Sequence, residues 1–140
     1  MQKRIPITLV SFVLILSMLC FSASAAESEQ TVDPRYTGIS TFTAALILNS
    51  SGTAQCSSTS TLSRSTYTQT LTMRLQRSVN QSVWTTLQSW TASGGFTAST
   101  EGTRSITHGY YYRLYCTANV YNSDGSLYGS NTKLSNTQYY

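Results

Sequence analysis

Between Tyr110 and Tyr121 the chain alternates without a break. Tyr110, Tyr112, Leu114, Cys116, Ala118 and Val120 share one parity. Tyr111, Arg113, Tyr115, Thr117, Asn119 and Tyr121 share the other. A period of two over a dozen residues puts the two sets on opposite faces of one extended strand. Leu114 and Cys116 belong inside, so the Tyr/Arg set belongs outside. Such a strand needs neighbours in a sheet and a second layer over its apolar face.

The rest of the chain supplies those neighbours. Near 39–49, Phe42, Ala44, Leu46 and Leu48 fall on one face. Asn49-Ser50-Ser51-Gly52 is a turn signal, and the strand after it, starting at Thr53, turns Ala54, Cys56 and Ser58 inward. Near 69–77, Leu71, Met73 and Leu75 point one way and Thr70, Thr72, Arg74 and Gln76 the other. Weaker strands are predicted at 82–91 and 96–107. Asn122-Ser123-Asp124-Gly125 turns the chain into a last strand near 126–137. From Tyr36 onward Ser and Thr occupy roughly a third of positions, while strong helix formers are scarce. The expectation is an all-β fold over residues 36–140: a single antiparallel β-sandwich of about seven strands. Leu46, Leu71, Met73, Leu75, Leu114 and Val120 are its predicted core.

The first 26 residues read as a secretory signal peptide. Lys3 and Arg4 give the positive start, Ile5 to Phe21 is mostly apolar, and Ala23-Ser24-Ala25 offers a small-residue cleavage site. Cys20 follows Leu19, where lipid attachment wants a small residue. Residues 27–35 carry Glu27, Glu29, Asp33 and Pro34 and read as a short disordered lead. The predicted location is secreted, with no membrane attachment after cleavage. Cleavage leaves two cysteines, Cys56 and Cys116, in an oxidising compartment. A disulfide between them is expected. On the chain-entropy model, closing a loop of about 60 residues stabilises by roughly 4 kcal/mol.

The cysteines fall in the second and sixth predicted strands. With the Tyr112-Arg113-Leu114-Tyr115-Cys116 strand, this placement resembles an immunoglobulin-like or fibronectin-like sandwich. That resemblance implies that the third and sixth strands are sheet neighbours, which brings Arg74 beside the outward Tyr/Arg set. The pattern departs from true immunoglobulin domains at two places. Leu71 and Met73 stand in the third strand where a Trp is expected. Leu114, not Tyr, stands two before the second Cys, so the usual tyrosine corner is absent or displaced to Tyr112. The short export signal, single Cys pair and Gly109–Leu114 segment also resemble small secreted Gram-positive bacterial proteins of unknown function, which implies location more than activity.

Residues for chemistry are few. The predicted mature chain has one histidine, His108, and Glu101 and Asp124 are the only carboxylates in its folded part. Two acids suffice for glycoside hydrolysis only if folding brings them together. His108 precedes Gly109 at a turn position, and no G-x-S-x-G elbow accompanies it. Cys56, Cys116 and His108 are too scattered for zinc, so no metal is predicted. Gly94-Gly95 is a lone turn dipeptide rather than a phosphate loop, and no cofactor is predicted. Charged residues are only 10% of the chain and form no blocks, which argues against nucleic acid as partner. Asn49-Ser50-Ser51 and Asn80-Gln81-Ser82 match the N-glycosylation pattern.

A candidate binding face remains: Arg74, Tyr111, Arg113, Tyr115 and Tyr121. The folded part carries Arg64, Arg74, Arg77, Arg104, Arg113 and Lys133 against Glu101 and Asp124. Tyr and Arg are the residues that most often anchor interfaces. The same residues also serve as a self-contained ladder, with Arg stacked on Tyr and no partner needed. Trp84 and Trp90 share parity, and one regular strand would put both on one face. A bulge or turn between them would send one into the core. The functional expectation is an exported, non-catalytic module that binds an extracellular protein, glycan or wall polymer. Two alternatives are a small secreted toxin or bacteriocin-like protein, and a small hydrolase using His108 or Glu101.

Overall fold

The computed structural model describes residues 36–140. The predicted signal peptide (1–26) and polar lead (27–35) lie outside the described residues. Eight strands follow in order: β1 (Ile39–Asn49), β2 (Thr53–Leu62), β3 (Thr68–Ser78), β4 (Thr85–Gly94), β5 (Thr97–Ser105), β6 (Tyr111–Tyr121), β7 (Leu127–Leu134) and β8 (Gln138–Tyr139). They form two antiparallel sheets. One runs β1-β2-β5; the other runs β4-β3-β6-β7, with β8 also paired to β6. Packed face to face, the sheets make an all-β sandwich.

Local chemistry sets the turns. After β1, Gly52 has φ 79° and donates to the Asn49 carbonyl at 3.0 Å. After β6, Gly125 has φ 83° and donates to the Asn122 carbonyl at 2.9 Å. Both positions lie in the left-handed region, which glycine enters without a Cβ clash. The last predicted strand, near 126–137, ends at Leu134, and a short β8 past its predicted bound follows a break at Ser135. There the Ser135 hydroxyl accepts from the Leu114 amide at 2.8 Å, replacing a ladder carbonyl.

The alternation in β6 is realised along its whole length. Tyr112, Leu114, Cys116, Ala118 and Val120 are fully buried, and the residues between them are half-buried. The opposing sheet contributes Ile39, Phe42, Leu46, Ala54, Cys56 and Leu62. All six predicted core residues are buried. Gly102 of β5 leaves room for a contact between the sheets. A Cβ there would fall well inside van der Waals distance of the Trp90 ring.

One expectation about this core is corrected. Cys56 and Cys116 do stand on facing sheets, both buried, but as free thiols rather than as a disulfide. They pack as small apolar groups, a role cysteine fills well. Burial, with a smaller contribution from the neighbouring Cys116, pushes the Cys56 thiol up to about 12. Cys116 is also raised, again by burial, against the lowering effects of the Ser58 hydroxyl and Arg74. Tyr112 takes the inward place its parity assigns. Its side chain is buried, and its hydroxyl donates to the Thr107 carbonyl at 2.8 Å while accepting from the Thr107 amide at 3.0 Å. The hydroxyl thus ties the start of β6 to the backbone five residues upstream.

Candidate functional site

The outer face of the β4-β3-β6-β7 sheet carries the predicted Tyr/Arg set. β3 and β6 pair directly, with Arg74 opposite Tyr115, Gln76 opposite Arg113 and Ser78 opposite Tyr111. Cross-strand partners of this kind stand about 5 Å apart at Cβ, and diagonal ones remain within reach of long side chains. Arg74, Arg113, Tyr111 and Tyr115 therefore occupy adjoining rows at one end of the sheet. Tyr121 does not join them. It pairs with Thr68 at the far end of β3, beyond Thr117 and Asn119, six residues or about 20 Å along the strand from Tyr115.

Three side chains outside the predicted Tyr/Arg set complete the cluster. Trp84 is the first. Asn80 folds the loop before β4: its Oδ1 accepts from the Ser82 and Val83 amides at 2.9 and 3.1 Å, and Gln81 adopts φ 61°. The Trp84 indole N–H donates to the Gln81 carbonyl at 3.0 Å. The ring then lies 4.0 Å from the Arg113 guanidinium. Gln76 is the second, its Oε1 accepting from Arg113 Nε at 3.0 Å. Tyr139 is the third, packed on Tyr111 with ring centroids 4.9 Å apart. β8 brings it there by pairing Tyr139 with Tyr111.

The two tryptophans part company at a bulge. Leu75 pairs with Gln88 but Gln76 pairs with Thr86, so Leu87 is skipped and the parity shifts. Trp90, opposite the buried Met73, turns inward against the core. Trp84 remains outside. Shared parity in the sequence carried no trace of the extra residue.

The electrostatics of this face are one-sided. Its outward neighbours across β4 and β7 are Ser89, Thr91, Thr132 and Leu134, all uncharged. Arg74 donates to the Thr117 hydroxyl at 3.3 Å, and Arg113 meets Gln76 and Trp84. Arg77 lies over the Tyr110 ring at 4.6 Å, Arg64 over Tyr67 at 5.9 Å and Lys133 over Tyr36 at 5.9 Å. Arg104 donates to Gln88 Oε1 at 2.9 Å. Each of these cations thus has a neutral partner, and none has an acid partner among the described residues. Partial burial lowers the Arg113 pKa, with a smaller opposing effect from Tyr115.

The two acids sit elsewhere. Asp124 lies in the β6–β7 turn, where the Ser126 hydroxyl and amide donate to its Oδ1 at 2.6 and 2.9 Å. Those bonds hold its carboxyl below the usual range. Glu101 pairs with Ser57 on the opposite sheet. His108 is exposed and stacks on Tyr140, with ring centroids 4.0 Å apart. A scan against protein-family models and a search of curated proteins returned no match to this chain.

Proposed function

We propose that this chain is an exported, non-catalytic binding domain that holds an anionic extracellular polymer, such as a wall polymer or acidic glycan. The contact surface is the Arg74–Arg113–Tyr115 end of the outer β3/β6 face. The observation that carries the reading is the pair of guanidinium groups on adjoining rows, with neutral partners and no acid on the same face among the described residues. A polyanion supplies the charge that the sheet lacks, and the tyrosines add flat apolar area beside it. Arg113 is also steadied by Gln76 and Trp84, which reduces the freedom lost on binding.

Strand order β1-β2-β5 against β4-β3-β6-β7, cysteines on β2 and β6, and the back-bonded Tyr112 hydroxyl support an immunoglobulin- or fibronectin-like reading of the sandwich. On that reading the fold is a rigid carrier, and recognition resides in the side chains on its surface.

The test is a pull-down of the purified protein with an isolated polyol-phosphate wall polymer, alongside the same polymer stripped of phosphate. Binding should follow the phosphate and weaken with added salt. Equal binding to both forms, or none to either, would refute the reading.

A further inference from the structure

The outer face of the other sheet, β1-β2-β5, holds a second polar constellation of different chemistry. Its rows read Ala45–Ser57–Glu101 and Ile47–Gln55–Thr103 across the three strands. Together with the backbone around Cys56 and Gly102, these residues line an open groove of about 470 Å³. That size lies within the usual range for small-ligand sites, roughly 300–1,000 Å³.

Hydroxyl groups elsewhere on this same face satisfy one another. Thr59 bonds Ser99 at 2.9 Å, Thr61 lies 3.5 Å from Thr97, and the Thr43 hydroxyl donates to the Thr59 carbonyl at 3.3 Å. The groove breaks that ladder. Its polar side chains, Gln55, Ser57, Glu101 and Thr103, show no side-chain hydrogen bond among the described residues. Ile47, 57% exposed, stands beside them with Ala45 as an apolar wall.

We infer that this groove is a second binding site, for a short neutral saccharide. The chemistry matches on both sides. A sugar ring offers an apolar C–H face to Ile47 and Ala45, and several hydroxyls in fixed directions to the polar row. Glu101 brings a carboxylate able to accept from two neighbouring hydroxyls at once. Gln55, Ser57 and Thr103 each combine donor and acceptor capacity, which suits hydroxyl ligands better than a bare ion. An anion is disfavoured here by Glu101, so the two faces of the sandwich select different ligands.

The experiment is an amide NMR titration of the purified protein with cellobiose, N,N′-diacetylchitobiose and maltotriose, with ethylenediamine as an amine control. At least one saccharide should shift amides at 45–47, 55–57 and 101–103 and leave those of β6 in place. Glu101→Ala should weaken that binding about tenfold or more, as expected for loss of a charged hydrogen bond. Ile47→Ser should weaken it as well. Arg113→Ala with Tyr115→Ala should leave it unchanged, which separates this site from the polyanion face. The inference is overturned if none of the three sugars moves these amides, if ethylenediamine moves them equally, or if Glu101→Ala binds as well as the parent.

Discussion

The guanidinium of Arg113 lies over the indole of Trp84, 4.0 Å from the ring centroid. The two residues come from β6 and from the loop before β4, which the sequence keeps far apart. Their meeting depends on Asn80, whose carboxamide folds that loop back over the sheet. A cation over an indole at partial exposure contributes roughly 0.5–2 kcal/mol. Arg113 is therefore a structural ladder element and a candidate ligand contact together.

Trp84→Ala separates those roles. It should lower stability to urea by about 0.5–2 kcal/mol through the lost cation–π contact. Arg113 keeps its bond to Gln76, so it should stay on the face but with greater side-chain motion. Arginine Nε NMR relaxation reads that change directly. An unaltered Arg113 signal would show that the ring does not hold it.

Arg113→Ala combined with Tyr115→Ala should abolish most binding of a phosphate-bearing wall polymer. Both positions are half-buried on the outer face, away from the core. The expected stability cost is about 1–2 kcal/mol, chiefly the lost contact of Arg113 with Trp84, and should leave the domain folded. Differential scanning calorimetry and the pull-down should be run on the same preparation. A protein that unfolds while its polymer binding per folded molecule is unchanged would leave the face as a ladder only.

Gly102→Ala should destabilise by about 1–3 kcal/mol, the usual cost of overpacking. The new methyl would occupy space now filled by the Trp90 ring. Trp90 must then move or the sheets must separate. A change in Trp90 fluorescence should accompany the drop in thermal midpoint.

The cysteine pair predicts an alkaline pH dependence. Cys56 is raised from 9.0 to about 12 by burial, so the folded state resists thiolate formation. Above the unfolded pKa the folded state holds the proton that the unfolded chain releases. The contribution is fully present below about pH 9 and is lost as pH rises from there toward about 12. Urea midpoints measured across that window should fall more steeply for the parent than for Cys56→Ala. Peptide mapping after alkylation should find Cys56 and Cys116 unreacted in the folded protein and modified after unfolding.

Tyr112→Phe should cost about 1–3 kcal/mol. The hydroxyl is bonded to both the amide and the carbonyl of Thr107, and removing it leaves part-buried polar groups without their partner. Amide exchange at Thr107 should quicken at the same time. Unchanged exchange would mean that water replaces the hydroxyl freely.

Much of the layer structure was legible in the chain. Strict alternation in β6 and the apolar triplet Leu71, Met73 and Leu75 assign faces because a strand's side chains point alternately up and down. Turn positions followed from Gly52 and Gly125, whose positive φ excludes most other residues. The outward position of Arg74, Tyr111, Arg113, Tyr115 and Tyr121 follows from the same parity, and it is determined locally by residues one or two positions away.

What the tertiary structure decided is everything that depends on register, on bulges and on contacts between sheets. A bulge at Leu87 sends Trp90 into the core and leaves Trp84 outside, although their spacing is even. Pairing of Thr68 with Tyr121 removes that tyrosine from the cluster that contains Tyr115. A break at Ser135 makes β8 and brings Tyr139 onto Tyr111. The cysteines were placed correctly on facing strands, yet whether two inward sulfurs bond depends on sheet separation and approach angle, which parity does not contain. Neither does parity contain the groove at Gln55 and Glu101, which exists only where three strands align their small and polar side chains across a sheet. Alternation is a property of one strand. Register is a property of two, and a site is a property of all the strands that meet there.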